Sequence, residues 1–359
     1  MTYRVIQVGT GKWGTWWCEK FLPPNIEDDL IEVVAAVDID QDTLVVAKKY
    51  LDLPEGHCYT DPRKAFKENP ADFCTIVTPP ATHEFYVDLA IEHDMHILSE
   101  KPIADSLESS VRISEKVKRA GLKMGVTMSH RFDADKTTLR EELRSGTHGN
   151  LNYIVSRFTC DCRKYGTWGD FRHEMDHPLL IEGAVHHLDI IADLSGAKCD
   201  TIYAQTWNTT WGEYAGDSHA LVTMRFENGV KGFYEGANTN AIGLNGWSQE
   251  YIRTECDNAT LILDHRRLEH FPYDPLETWV EEREGSGEVI PLIDQEKWTN
   301  TWLIEQFVHW LDGGEPMATN VEDNLQSMGM VFGAIESSKT GLAVKVQELL
   351  DETRESLSR

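Results

Sequence analysis

Ser99-Glu100-Lys101-Pro102 closes the apolar run Met95–Leu98, and Glu182-Gly183-Ala184-Val185-His186-His187-Leu188-Asp189 repeats polar side chains at helical spacing. A lysine delivered by a buried parallel strand to its carboxyl end reaches the crevice where doubly wound sheets take ligands. There it can polarise a hydroxyl oxygen. Glu182, His186, Asp189 and Asp193 share one helix face, while Val185, Leu188 and Ile191–Ala192 make the opposite one. A neutral imidazole titrates near working pH, so His186 can take a hydroxyl proton as hydride leaves the carbon. Glu182, one turn earlier, can orient that ring or hold a second hydroxyl. His187 lies about 100° from His186 around the helix and is expected to pack behind it.

A reason for proton transfer stands at the N-terminus. Gly9, Gly11 and Gly14 make G-x-G-x-x-G between an apolar strand and a helix-like segment. The first glycine permits a tight turn, the second a close backbone approach to a pyrophosphate, and the third helix–strand packing. Asp38 ends the next strand and can accept from both ribose hydroxyls. Ile39 and Asp40 follow it, with no arginine to greet a 2′-phosphate, so NAD is expected over NADP. The competing role for Asp38 is to cap a turn.

These groups need a scaffold. Strands are expected at 3–8, 31–37, 73–77, 95–98 and 123–127. Helices alternate with them: a segment to Leu22 that Pro23-Pro24 ends, then 42–50, 83–93 and 107–120. That alternation predicts a parallel, doubly wound α/β Rossmann domain over residues 1–128. Beyond it, helices at 137–145 and 182–194 give way to consecutive strands at 201–206, 218–226, 229–237, 248–255 and 259–264. Asn228-Gly229 marks a hairpin. A second domain, 129–359, is therefore expected as α+β with a large, mostly antiparallel open sheet. Closing helices are expected at 302–311 and 320–340.

The formal net charge of −26 disfavours nucleic acid and anionic membrane as partners. No apolar run is long enough to span a bilayer, and the N-terminus enters a strand without a basic leader. Seven scattered cysteines suit free thiols in a cytoplasmic protein. His173, His177, Glu182, His186 and His187 follow Cys160 and Cys162 closely, but no spacing matches a metal signature, so no metal is expected. Trp168, Trp207, Trp211 and Trp247 could stack on sugar faces or simply pack. Arg163, Lys164, Arg172 and His173 could meet a carboxylate or phosphate, or remain surface charges.

With the fingerprint, Glu100-Lys101-Pro102 and the segment Glu182–Asp189, the chain resembles the Gfo/Idh/MocA oxidoreductases, which include inositol, glucose and other sugar dehydrogenases. Further phrases of that family are matched by His130-Arg131-Phe132, Leu143-Arg144-Ser145-Gly146, Phe171-Arg172, Arg225-Phe226-Glu227-Asn228-Gly229 and Ala334-Ile335-Glu336-Ser337-Ser338. The resemblance places the catalytic lysine at Lys101 and the catalytic histidine at His186. The family's usual aspartate is here Glu182, and its glycine cluster is replaced by Pro178-Leu179-Leu180-Ile181. Expected cofactor contacts are Gly9, Gly11, Lys12, Trp13, Gly14, Asp38, Thr78, Pro79, His83, Glu100 and Lys101. Expected substrate contacts are Lys101, His130, Arg131, Arg172, Glu182, His186 and His187. The reading is an NAD-dependent dehydrogenase of a sugar, polyol or inositol. The alternatives are an enzyme that keeps NAD bound for elimination, epimerisation or glycoside cleavage, and a non-catalytic dinucleotide sensor. A homodimer or homotetramer through the second domain's sheet is expected.

Overall fold

In a computed structural model, residues 1–276 and 287–358 are described. The first sheet has six parallel strands in the order β3-β2-β1-β4-β5-β6: β1 Tyr3–Val8, β2 Ile31–Val37, β3 Cys58–Tyr59, β4 Phe73–Ile76, β5 His96–Glu100 and β6 Met124–Thr127. The order reverses between β1 and β4, so their carboxyl ends frame the switch point of a doubly wound sheet. β1, β4 and β5 are buried almost throughout, as strands covered on both faces must be. The helix Leu107–Ala120 begins on Ser106, which accepts from Ser109 N, and stops at Gly121 with φ 69°. Pro23 departs from expectation. It opens the short helix Pro23–Glu27 rather than ending the chain's helical course, because proline fits a first turn where its missing N–H costs nothing.

The second sheet has nine strands, ordered β14-β13-β12-β11-β7-β10-β9-β8-β15. They are β7 Leu151–Thr159, β8 Cys199–Trp207, β9 His219–Phe226, β10 Lys231–Ala237, β11 Tyr251–Cys256, β12 Ala259–Asp264, β13 Arg267–Pro272, β14 Glu288–Ile290 and β15 Val344–Lys345. Among the described residues only the β7–β10 pairing is parallel. β9 alternates Val222, Met224 and Phe226 inward with Leu221, Thr223 and Arg225 outward. The helix Val185–Ser195 lies on the inward face, where Gly232 leaves room for it: a Cβ there would meet Ile191 Cγ2 at 3.1 Å.

The chain forms two compact units, and their boundary differs from a single cut at 128/129. Residues 296–325 and those from Thr353 onward join Met1–Ser129; the remainder forms the second unit. The cause is apolar cover. Phe307 of the helix Thr299–Leu311 meets Phe73 of β4 edge-on at 5.2 Å, and Thr319 brackets Val126 of β6 with two hydrogen bonds of 2.9 and 2.7 Å.

Candidate functional site

In the first unit the glycine loop follows β1 directly. Gly9 has φ 86°, and a Cβ on it would lie 2.0 Å from Val77 O; one on Gly14 would lie 2.3 Å from Gly9 O. Both contacts are with backbone, so neither position admits a side chain. Gly11 is looser, with Thr43 Cγ2 at 3.2 Å. Helical turns start at Trp13, and from Trp17 to Phe21 they widen to π spacing. Lys12, immediately before them, is exposed with φ 47°.

Asp38 holds this loop shut. Its Oδ2 accepts from Thr10 N at 2.7 Å and Gly11 N at 3.2 Å, and its Oδ1 from Asp40 N at 2.9 Å. Thr10 Oγ1 also donates to Oδ2, at 3.3 Å, so that oxygen is fully engaged, while Oδ1 of the half-buried group, with Asp40 N as its one donor among the described residues, has a second lone pair directed away from the loop. A glycine cradle that any Cβ would fill, with an acid at the end of β2, fits a dinucleotide.

Two expected cofactor contacts prove internal. Glu100 is 7% exposed, and its Oε1 accepts from Trp13 Nε1 at 2.6 Å, Trp17 Nε1 at 2.8 Å and Asn300 Nδ2 at 3.0 Å. It is an anchor that ties the first helical turns to the end of β5. His83 is fully buried, with Nε2 2.8 Å from Thr78 O and Nδ1 3.2 Å from Ile103 O. It braces the turn that carries Thr78 and Pro79. Lys101 follows Glu100 at the carboxyl end of β5, half-buried, before a cis bond to Pro102. Trp13, 47% exposed, presents a large ring beside the glycine loop.

In the second unit, the segment bearing Glu182 is a π-helical turn, Leu179–Ala184, which continues into the helix Val185–Ser195. The wider turn rotates Glu182 away from the regular one-turn relation with His186 expected from spacing. The polar face is not solvated: Glu182, His186, His187 and Asp189 are all buried, His186 to 4% exposure. Each carboxylate has an arginine. Arg172 Nε and Nη2 reach Glu182 Oε2 at 3.0 and 2.8 Å, with the guanidinium 4.4 Å from the Phe171 ring and 5.0 Å from Trp168. Arg131 grips Asp189 in a bidentate pair, Nε to Oδ2 at 2.7 Å, and Ser327 donates to Asp189 Oδ1 at 2.6 Å. Arg140 and Arg144 hold Asp193 at 3.1 Å each. Arg131 and Arg172, expected to contact substrate, thus face acids of their own chain.

The His130 ring lies against His186 at a tilt, centroids 4.4 Å apart, and its Nδ1 is 3.3 Å from Glu250 Oε1. Trp247 closes on both rings, at 5.3 Å from His130 and 6.1 Å from His186. His187 is interior, packed on Phe158 at 4.6 Å with Nδ1 2.9 Å from Tyr234 Oη, which leaves little of it for a ligand. Below these rings lies Lys136, 1% exposed, its Nζ 2.7 Å from Glu250 Oε2 and 3.2 Å from Asp133 Oδ2. Burial opposes the charge on both Lys136 and Glu250. Their mutual attraction wins, holding the lysine above and the glutamate well below their ordinary ranges. Burial pushes Asp135 up and His187 down.

Sequence reasoning missed Lys136, Glu250 and Tyr234. Nothing local marks them, since their partners lie on distant elements. Trp247 was visible only as one aromatic residue among several. Of the metal candidates, His173 is buried against Tyr214 at 4.1 Å and His177 lies 3.5 Å from Asp217. Among the described residues no three His, Cys, Asp or Glu side chains gather as a metal-holding group, and no helix is long and apolar enough to cross a membrane.

Two family models match this chain. An oxidoreductase family with an NAD-binding Rossmann fold, GFO/IDH/MocA, covers residues 3–128, and the GFO/IDH/MocA C-terminal domain covers 137–255. An uncharacterized Sinorhizobium fredii protein, y4oX, is 54% identical over 99% of this chain and 98% of its own. The scyllo-inositol 2-dehydrogenase (NAD+) of Bacillus subtilis is 26% identical over 80% of this chain and 81% of its own. An Agrobacterium radiobacter oxidoreductase, solved with NAD+, L-tartaric acid and magnesium, superposes with a TM-score of 0.81. It is 19% identical and covers 97% of this chain and 100% of its own.

Proposed function

The chain belongs to the Gfo/Idh/MocA oxidoreductases and binds NAD through its Rossmann domain, and from that premise we propose that it oxidises a secondary hydroxyl of a polyol, inositol or sugar derivative. The observation that carries the reading is His186: a histidine buried on a helix whose neighbouring acids Glu182, Asp189 and Asp193 are all neutralised by arginines. Those pairs leave the imidazole as the proton-accepting group on that face. Bound at the glycine loop, NAD+ would supply the acceptor for the hydride of the carbinol carbon. His186 takes the hydroxyl proton and Lys101 polarises the oxygen, while Glu182, steadied by Arg172, presents a carboxylate toward a second hydroxyl. Inositol dehydrogenases among the relatives support a cyclic polyol as the first substrate class to try.

The test is NADH formation across a panel of inositols, sugars and sugar acids, for wild type, Lys101→Ala and His186→Ala. Removing a positioned acid–base group costs about a hundredfold to ten-thousandfold. Turnover with at least one polyol, lost in both variants while NAD affinity holds, is the expected result. Full activity in His186→Ala would end the assignment. We further propose self-association through the outer face of the nine-stranded sheet, where Leu221 and Phe233 stand exposed. Sedimentation of wild type against Leu221→Lys/Phe233→Lys reads this directly.

A further inference from the structure

Buried charge needs a reason, because ionic networks inside proteins rarely improve on apolar packing. Lys136, Asp133, Asp135 and Glu250 form such a network, and it ends against a pair of histidine rings. Three carboxylates face one ammonium there. Of the two imidazoles near Glu250, His187 is sealed inside, and burial disfavours its charged form. His130 is different: its side chain is 20% exposed, and its Nδ1 points at Glu250 Oε1. Its other face lies 4.4 Å from the His186 ring, at a tilt of 35°.

We propose that His130 is a positioning residue for His186: the Glu250–His130 pair holds one proton, and its positive end keeps the adjacent His186 as neutral imidazole. Two imidazolium rings this close repel, so a proton on His130 excludes one from His186 until substrate supplies it. Groups around His130 agree with this division. Glu250 Oε1 faces His130 Nδ1, Lys136 engages the far oxygen of Glu250, and Trp247 packs edge-on against the His130 ring. Arg131, next in sequence, is committed to Asp189, and Asp133 and Asp135 are turned to Lys136. Glu182 faces Arg172. The inference rests on the proposed base role of His186 for its catalytic meaning, but the ring coupling itself does not.

The experiment is carbon-detected NMR titration of the full chain labelled at histidine, with NAD+ present, the His186 signal being identified by its loss in His186→Gln. A unit charge 4.4 Å away, partly cancelled by Glu250 behind it, lowers the His186 midpoint by about one pH unit at a protein-like dielectric. His130→Gln should therefore raise that midpoint by about one unit. His130→Arg, which restores a fixed positive charge beside Glu250, should return it to the wild-type value. His130→Asn serves if the glutamine variant is unstable. An unmoved midpoint in the neutral variants, or an equal rise in His130→Arg, overturns the proposal. The acid limb of kcat/KM is the second readout and should rise with the midpoint. If the midpoint moves and the limb does not, the coupling stands and the base assignment of His186 falls.

Discussion

Glu100 concentrates three donors on one oxygen, and that makes the cost of its loss calculable. In Glu100→Ala the exposed Trp13 indole turns to water, but the Trp17 Nε1–H and the Asn300 amide are buried and have no other acceptor at those atoms among the described residues. Each orphaned buried donor costs about 1–3 kcal/mol, so the substitution should destabilise the first unit by about 2–6 kcal/mol. Glu100→Gln keeps the volume and one acceptor oxygen while losing the ionic strengthening of its bonds, for about 1–2 kcal/mol. The two variants should separate in urea unfolding followed by far-ultraviolet circular dichroism. NAD affinity, measured by calorimetry, should fall in the same order, because Trp13 beside the glycine loop loses its tether. Glu100→Ala within about 0.5 kcal/mol of wild type would refute the anchoring argument, since that is the size of a change at an unremarkable surface position. So would equal losses in the two variants.

Asp38→Ala should weaken NAD binding and narrow the preference over NADP, and should cost about 1–2 kcal/mol of stability because Thr10 N and Gly11 N lose their acceptor; a wild type that strongly prefers NADP would remove Asp38 from the ribose. Lys136→Met leaves Glu250 buried without its cation and should destabilise the second unit by about 3–5 kcal/mol in urea unfolding. Glu250 has a folded-state pKa below its unfolded one, so its stabilisation is complete above the ordinary value near 4.5 and is lost as pH falls toward the folded value; wild type should therefore lose more stability than Glu250→Gln on acidification below that point. Glu182→Gln should lower kcat/KM unevenly across a polyol panel, and Glu182→Asp should keep partial activity with shifted preference; an equal fractional loss on every substrate would leave Glu182 as a support for Arg172 alone.

What was legible in the sequence follows from locality. Leu107–Ala120 emerged residue for residue because its capping serine, its amphipathic pattern and its terminal glycine are all local signals. The glycine loop was legible because its turn tolerates only certain residues. β7 was not, although it is rich in strand-forming residues, because its apolar pattern does not follow its burial: Ser156 is buried while Tyr153 and Val155 are half-buried. The site divides the same way. Spacing puts His186 and Glu182 on one helix face, yet it could not show the π-helical turn that rotates one against the other. Glu100 and His83 are expected beside the cofactor from the family resemblance, and spacing could not show that both are buried and bonded within the chain. Glu250 reaches His130 across 120 positions, a distance over which sequence pattern carries nothing.

The segment around Thr319 matters for how the protein comes into being. β6 is the last strand of the first sheet, and Met317–Asn320 lies along its open side, with Thr319 bonded to Val126 and Asn320 bridged to Gly125. On a ribosome, the first sheet emerges with that edge bare and with Phe73 awaiting Phe307. An uncovered strand edge is a template for pairing with another chain. The nucleotide-binding half therefore cannot finish folding as it is made. It must wait until Thr319 and Asn320 have been made, and a chain terminated before them would carry the sticky edge permanently.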